Sequence, residues 1–404
     1  MTGSSRQFSR SGIIIALVLV CCMWAACKNS NSTSKPDVQL AMEQVVSQYM
    51  MKNNIPGAIV GVWVPGEKTW THTQGTADLT TGRKIKPEDK IRIASITKTF
   101  TATVILQLVD EGALNLEDTL DKWVPEIPRG SEISYSEKIT IRHLCNHTAG
   151  IYSFTENKEV HDILITDPLK KWTLEEVMKY TLELDIKGNK VPCYFEPGDT
   201  YENGNPKIHY SDTAYELLGM IIEQVTGNKI GDEIQNRILD KLELKNTSFP
   251  YGPEMTGNYS RGYVQKQEGG ALEDFTETDP SAPWAGGAMI SNLYDLKVWA
   301  KALAEGSLLS EATQQQRLTW VDWPQLPLEG MNGAYGLGIT CMGRLVGHSG
   351  TILGYNSAMF HLPSRNATIV VLLNKGNPGA GDACAVNICY LLAKILFNWF
   401  PEHC

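Results

Sequence analysis

The sequence predicts an α/β (α+β) protein in which an antiparallel sheet is flanked by helices and carries an inserted helical lobe. Three observations predict this. Strand patterns bounded by turn residues sit at both ends of the chain, the stretch between them reads as helix and loop, and the last strand runs into a long apolar helix. At 404 residues, 42% hydrophobic and 20% charged, the chain can bury a large core and is no disordered tail.

The first element is a targeting segment. Arg6 and Arg10 precede an uncharged apolar run from Gly12 to Ala26, too short to span a bilayer comfortably. Trp24-Ala25-Ala26-Cys27 then leads into a polar stretch. Small residues before a Cys resemble a bacterial lipoprotein signal, with Cys27 as the lipidated residue and Cys22 as a second candidate. The expectation is a signal peptide at 1–26, a polar tether at 27–40, and a mature protein exported to the cell envelope and held at the membrane by a lipid anchor. Of nine cysteines, those beyond this segment are Cys145, Cys193, Cys341, Cys384, Cys389 and Cys404. An even set in an exported protein allows disulfides without fixing their pairing.

Met42, Val45, Val46 and Tyr49 follow helical spacing up to Ile55-Pro56-Gly57. Ala58 to Val64 is an apolar β-rich run that turns at Pro65-Gly66 into Thr69 to Thr73, a hairpin. Near the other end, Ser357 to His361 and Thr368 to Leu373 form a second hairpin, and Tyr335 to Thr340 with Leu345 to Gly347 supply another strand pair. A helix follows at about Ala385 to Phe400. The expected division is a sheet-plus-helix domain from 41–125 and 276–404, and a helical lobe at 126–275, with a cleft between them.

The charge balance, 45 Asp+Glu against 36 Lys+Arg, argues against a partner bound through its phosphates, so no nucleic acid is expected. With neither CxxC nor HExxH, no metal site or other cofactor is expected. The informative stretch is Arg92 to Gly112, apolar on nearly all sides and hence a buried helix. Lys98 in its first turn is anomalous, because an unpaired buried ammonium is costly. Ser95, three residues earlier, projects from the same face. A Ser beside a Lys at a buried helix start is an activated nucleophile, although Ser-x-x-Lys alone is weak: Ser32-Thr33-Ser34-Lys35 matches it too. His209-Tyr210-Ser211-Asp212 stands at a second helix entrance, where Asp212 could be an N-cap. Gly347-His348-Ser349-Gly350-Thr351 follows a strand, where glycine lets a ligand or another backbone approach.

In that order, Ser95-x-x-Lys98, Tyr210-x-Asp212 and His348-Ser349-Gly350 resemble the signature of the penicillin-recognising serine hydrolases: class C β-lactamases, D-alanyl-D-alanine carboxypeptidases and related esterases. Residues 91–125, Ile139 to Ile151, Phe195 to Gly198, 209–227, 284–296, Tyr335 to Gly338 and 347–357 are similar as well, over roughly 40 to 375. The resemblance implies the β-lactamase/transpeptidase-like fold and a Ser95 acyl-enzyme, with Tyr210 and Lys98 sharing the proton work. It implies that His348 lines the cleft and hydrogen-bonds toward Tyr210. Asp212, Ser349, Gly350 and Thr351 would contact substrate, with the N–H groups of Ser95 and Thr351 as oxyanion hole. Unperturbed Lys and Tyr both titrate near ~10, so one of them must be depressed to act as base at neutral pH.

The implied function is an exported serine hydrolase like a D-alanyl-D-alanine carboxypeptidase; the alternatives are an ester hydrolase and a penicillin-binding receptor with little turnover. Implied partners are a small peptide or ester, a peptidoglycan stem peptide among them, and β-lactams as acylating inhibitors. Four features depart from the family pattern. Asp212 replaces the usual Asn; it can only accept hydrogen bonds, so it should hold Lys98 protonated and shift the base role to Tyr210. Thr340 stands where carboxypeptidases carry an Arg for the substrate carboxylate, with Arg344 the nearest substitute. His348 replaces a Lys and is mostly neutral near pH 7. Tyr201 to Ile208 is an insertion on the cleft rim. His143 and His147 are read as shaping the lobe junction, and Gly286 and Gly287 as allowing close packing beside the cleft.

Overall fold

The computed structural model describes residues 35–182, 193–323, 333–377 and 383–397. The expected signal peptide, the lipidation candidate Cys27 and Cys404 lie outside them. The chain divides into two units, residues 1–42 and 43–404. The described part of the first is the start of helix α1 (Lys35–Lys52); the second holds the sheet, the core and the cleft. Among the described residues, no helix is long and apolar enough to cross a membrane.

Nine strands form one antiparallel sheet. They are β1 (Gly57–Trp63), β2 (Trp70–Asp78), β3 (Arg83–Lys84), β4 (Val321–Trp323), β5 (Gly333–Tyr335), β6 (Thr340–Met342), β7 (Leu345–Ile352), β8 (Tyr355–Leu362) and β9 (Ala367–Leu373). Their spatial order is β3-β2-β1-β9-β8-β7-β6-β5-β4. The two ends of the chain meet where β1 pairs with β9, Ala58 opposite Leu373. Every residue of β8 and β9 is buried. Side chains alternate between the two faces of a strand, so both faces of the sheet are covered here.

The expected strand pair Tyr335–Thr340/Leu345–Gly347 is three strands instead. Gly336-Leu337-Gly338 breaks the first run, with Gly338 at φ +71 in the left-handed region, and the chain turns from β5 into β6. A Cβ on Gly338 would sit 2.2 Å from the Cβ of Ala102, so glycine also permits contact with the helix below. The stretch read as helix and loop contains a short hairpin, Tyr263–Gln265 with Leu272–Asp274.

That helix below is α2 (Thr97–Asp110), buried on nearly every side as its composition requires. Helices α3 (Asp212–Thr226) and α4 (Trp284–Gly287) pack on it, while α5 (Leu293–Glu305) and α6 (Cys384–Phe397) pack on β8 and β9. Trp299 of α5 stacks on Phe100 at 4.3 Å and donates its indole N–H to Thr99 Oγ1 at 2.7 Å. Such an aromatic pair adds about 0.5–1.5 kcal/mol beyond its buried area. Cys145, Cys193 and Cys389 are thiols, and Cys341 is disulfide-bonded.

Candidate active site

A single 3₁₀ turn, Ala94–Ile96, precedes α2. Ala94 has φ +49, a conformation that costs a non-glycine residue about 1–3 kcal/mol and persists only where its surroundings enforce it. The kink leaves Ser95 half-buried among fully buried neighbours. One turn on, Lys98 is completely buried. It does not snorkel to the surface: its Nζ donates to Ser95 Oγ at 3.2 Å, to Asp212 Oδ1 at 2.6 Å and to the Gly286 carbonyl at 2.9 Å. Three acceptors around one nitrogen match the three donors of an ammonium.

Asp212 opens α3 but is not its cap. The cap is Ser211, whose hydroxyl accepts from the Ala214 N–H. Asp212 is thereby freed to face the cleft at the positive end of the helix, its other oxygen accepting from Thr155 Oγ1 at 2.7 Å. Tyr210 stands beside the same amine, with Lys98 Nζ 4.9 Å from the centroid of its ring. Its ring packs on Trp323, parallel at 5.6 Å, and on His147 at 4.2 Å.

The electrostatics follow from this contact. Burial alone would strip Lys98 of its proton, but Asp212 outweighs it and holds the amine above its ordinary value. Burial likewise works against the Asp212 charge, and Lys98 keeps that carboxyl below its usual range. Burial raises the Tyr210 phenol; the attraction of Lys98 is opposed by the negative charge of Asp212, so the phenol stays neutral. The expectation that Tyr210 or Lys98 would be depressed is therefore corrected, because Asp212 neutralises the cation that would have depressed the phenol.

His348 lines the cleft, but its expected bond to Tyr210 is not there. Its Nδ1–H donates to the Ser349 carbonyl at 2.5 Å, leaving Nε2 to accept from the Tyr335 hydroxyl at 2.9 Å. The Tyr210 and His348 rings stand 6.4 Å apart. Burial lowers the imidazole to about 3, so it is neutral at any working pH.

Ser349, Gly350 and Thr351 run along the cleft wall on β7. A Cβ on Gly350 would stand 2.4 Å from the Ile93 carbonyl oxygen and 2.8 Å from the Ser95 nitrogen, so the strand passes directly over the Ser95 backbone. Thr351 Oγ1 accepts from Asn356 at 2.6 Å. Arg344 does not substitute for the missing Arg: it is exposed on the β6–β7 turn at φ +80, at the far end of β7 from Thr351. The insertion Tyr201–Ile208 reaches β4, where Asn205 donates to Asp322 at 2.7 Å.

The cleft holds about 670 Å³. Its described lining contains Glu156, Asp212 and Asp279 but no Lys or Arg, and it has an apolar wall that includes Leu164, Ile165 and Leu353. Sequence reasoning missed Glu156, Asp279 and Glu216. Glu216 lies one turn beyond Asp212, buried, its Oε1 accepting from the Gly286 N–H at 3.3 Å. Burial and then the Asp212 charge push it well above the carboxylate range, so it carries its proton. Its signal was legible as the polar member of Ala214 to Ile222. Gly286 is confined as expected: a Cβ there would be 3.3 Å from Lys98 Nζ.

Known proteins share this architecture. The family model described as Beta-lactamase matches residues 42–388. Penicillin-binding protein 4* of Bacillus subtilis is 27% identical over 332 residues, covering 77% of this chain and 66% of that protein. Among solved structures, a D-stereospecific amidohydrolase from Streptomyces sp. superposes with a TM-score of 0.73 at 29% identity, covering 91% of this chain and 100% of the other. The D-amino acid amidase from Ochrobactrum anthropi SV3 does so with a TM-score of 0.70 at 25% identity, covering 89% and 97%. The kinked Ser95, the buried Lys98 and the β7 strand thus lie within a match that spans most of the chain, and the chain belongs to the beta-lactamase family of penicillin-recognising serine hydrolases.

Proposed function

We propose that this protein hydrolyses amide or ester bonds through a Ser95 acyl-enzyme, on a D-amino-acid-type substrate whose acyl part carries an amine. One observation carries the reading: the Ser95–Lys98–Asp212 contact opens into a cleft whose described lining carries Glu156 and Asp279 beside Asp212 and no Lys or Arg. A carboxypeptidase needs a cation for its substrate's terminal carboxylate, and this lining offers the reverse. The names of the two similar solved structures, an amidohydrolase and an amidase, support the same choice.

The proton path follows from the resting charges. Asp212 takes a proton from Lys98, exchanging an ion pair for a neutral acid and a neutral amine. The amine then accepts the Ser95 proton as Oγ bonds to the substrate carbonyl carbon. Tyr210, a neutral phenol, donates its proton to the leaving nitrogen or oxygen as that bond breaks, and Lys98 returns one to Tyr210. Lys98 is left as the amine and recovers its ammonium when Asp212 gives back its proton. The net result is transfer of the Ser95 proton to the leaving group. Water repeats the sequence in deacylation and frees the acid.

The test compares wild type with Ser95→Ala on a D-amino-acid amide, a D-alanyl-D-alanine-terminated peptide and a p-nitrophenyl ester, with intact mass for the acyl-enzyme. We expect amide and ester turnover in the wild type and none in the variant. Preferred release of terminal D-alanine would favour the carboxypeptidase; ester turnover alone would favour the esterase; a stable penicilloyl adduct without turnover would favour the receptor. Turnover that survives Ser95→Ala would overturn the nucleophile. We also propose export and anchoring through Cys27, from the basic and apolar pattern before it; a Cys27→Ala variant that stays in the membrane fraction would refute the anchor.

A further inference from the structure

His147 touches no reacting group, yet it holds Tyr210 in three ways. Its carbonyl accepts from the His209 N–H at 2.9 Å, its Nδ1 accepts from the Ser211 N–H at 3.1 Å, and its ring lies 4.2 Å from the Tyr210 ring. The residues on either side of Tyr210 are thus bonded to one residue that also backs the phenol. His147 adopts φ +62, which a side chain of this size takes only under constraint. Because Nδ1 accepts, the ring proton sits on Nε2, which is buried with no hydrogen-bond partner among the described residues. A residue that only filled space would be better served by an apolar side chain, without the cost of an orphaned N–H.

We infer that His147 is the positioning residue that sets the Tyr210 phenol over Ser95, by gripping the backbone on both sides of it and supporting its ring. This rests on the proton role given to Tyr210 above. The grip requires a neutral imidazole, since a proton on Nδ1 would break the bond to Ser211. The groups that face the ring are Lys98, His209, His348, Tyr210, Tyr215 and Tyr335. Burial, followed by the positive charge of Lys98 and then by His348 and His209, holds His147 well below its ordinary value. The acceptor is therefore present throughout the working range.

The test uses the full chain with a p-nitrophenyl ester. His147→Ala removes both the acceptor and the ring; His147→Asn keeps an acceptor at the Nδ1 position and tolerates a positive φ. We expect kcat of His147→Ala to fall about 10- to 100-fold with KM within about twofold, and the pH profile of kcat to shift as Tyr210 loses its fixed place. His147→Asn should recover about tenfold of that loss, and fluorophosphonate labelling of Ser95 should follow the same order. If His147→Ala does not fold, His147→Asn is compared with His147→Gln, whose acceptor is too distant for Ser211; Asn must then be the faster by about tenfold. Wild-type kcat and pH profile in folded His147→Ala, or equal rates for Asn and Gln, overturn the role of His147 alone. Turnover that persists in Ser95→Ala overturns the function reading, and this role with it.

Discussion

Lys98 Nζ lies 2.6 Å from Asp212 Oδ1, the amine wholly buried and the carboxylate keeping 24% of its side-chain surface open to the cleft. The pair is thus a buried cation whose counter-charge can meet substrate. In Asp212→Asn, Lys98 loses the partner that raises it, and burial then pulls the amine down toward neutrality. The variant's kcat/KM should gain a limb that rises with pH as Lys98 sheds its proton. An Asn can also donate to an acylamide carbonyl, so labelling by a fluorescent penicillin should quicken by about tenfold, the worth of one hydrogen bond. A pH profile and a labelling rate both unchanged would refute the coupling.

Removing Lys98 leaves Asp212 without its cation. Lys98→Met should cost about 2–4 kcal/mol in urea unfolding, toward the low end for a broken buried pair because Asp212 is partly solvated. The double variant Lys98→Met/Asp212→Asn should regain most of that stability and none of the turnover. Stability that stays low in the double variant would show that the loss comes from packing of the lysine stem rather than from charge.

Much of this was legible in the chain, and for identifiable reasons. Lys98 in an apolar run announced a buried partner, and strand patterns at both ends announced a sheet closed by β1 against β9. That Asp212 holds Lys98 protonated was readable because, unlike Asn, it can only accept hydrogen bonds. Other features depend on contacts between residues far apart in sequence. The turn of His348 toward Tyr335 is set by the break at Gly336–Gly338, which creates β6 and carries β5 alongside. The neutral state of Tyr210 depends on two opposite charges whose balance no spacing reveals. That the cleft's described lining has no Lys or Arg appears only once the position of Arg344 on an outer turn is known.

Glu216 sits one turn from Asp212 and already carries its proton. Glu216→Gln therefore removes no charge, keeps an acceptor for the Gly286 N–H, and should leave kcat and KM within about twofold. Glu216→Ala, by contrast, strands that N–H and should cost about 1–3 kcal/mol of stability. A large kcat loss in Glu216→Gln would mean the carboxyl is ionised and takes part in the charge balance around Lys98.

Among the described residues, three histidines are buried in the neutral form: His348 lowered to about 3, His361 to about 4, and His147 well below its ordinary value, each first by burial. In the unfolded chain all three bind protons below about 6.5. Between about pH 6.5 and 4 the unfolded state therefore binds more protons, and stability falls as pH is lowered through that window. His361→Gln, remote from the cleft, should flatten the fall by up to about 1.4 kcal/mol per pH unit. Urea midpoints measured at several pH values decide it; parallel curves for wild type and variant would show that His361 is protonated in the folded protein.

Gly350 and Gly347 both lie on β7, and each lacks room for a side chain for a different reason. A Cβ at Gly347 would meet the Met359 carbonyl oxygen at 2.0 Å, across the sheet on β8; one at Gly350 would meet Ile93, Ala94 and Ser95. Both substitutions to Ala force a backbone to move, and each should cost about 1–3 kcal/mol in stability. Their effects on turnover should differ. Only Gly350→Ala pushes the strand off Ser95 and pulls the Ser95 N–H out of line with the developing oxyanion, which should cost about 100-fold in kcat. Gly347→Ala should keep kcat within about tenfold at a similar loss of stability. Comparable kcat values for the two variants, with matched unfolding midpoints, would mean that β7 braces the sheet without placing the nucleophile.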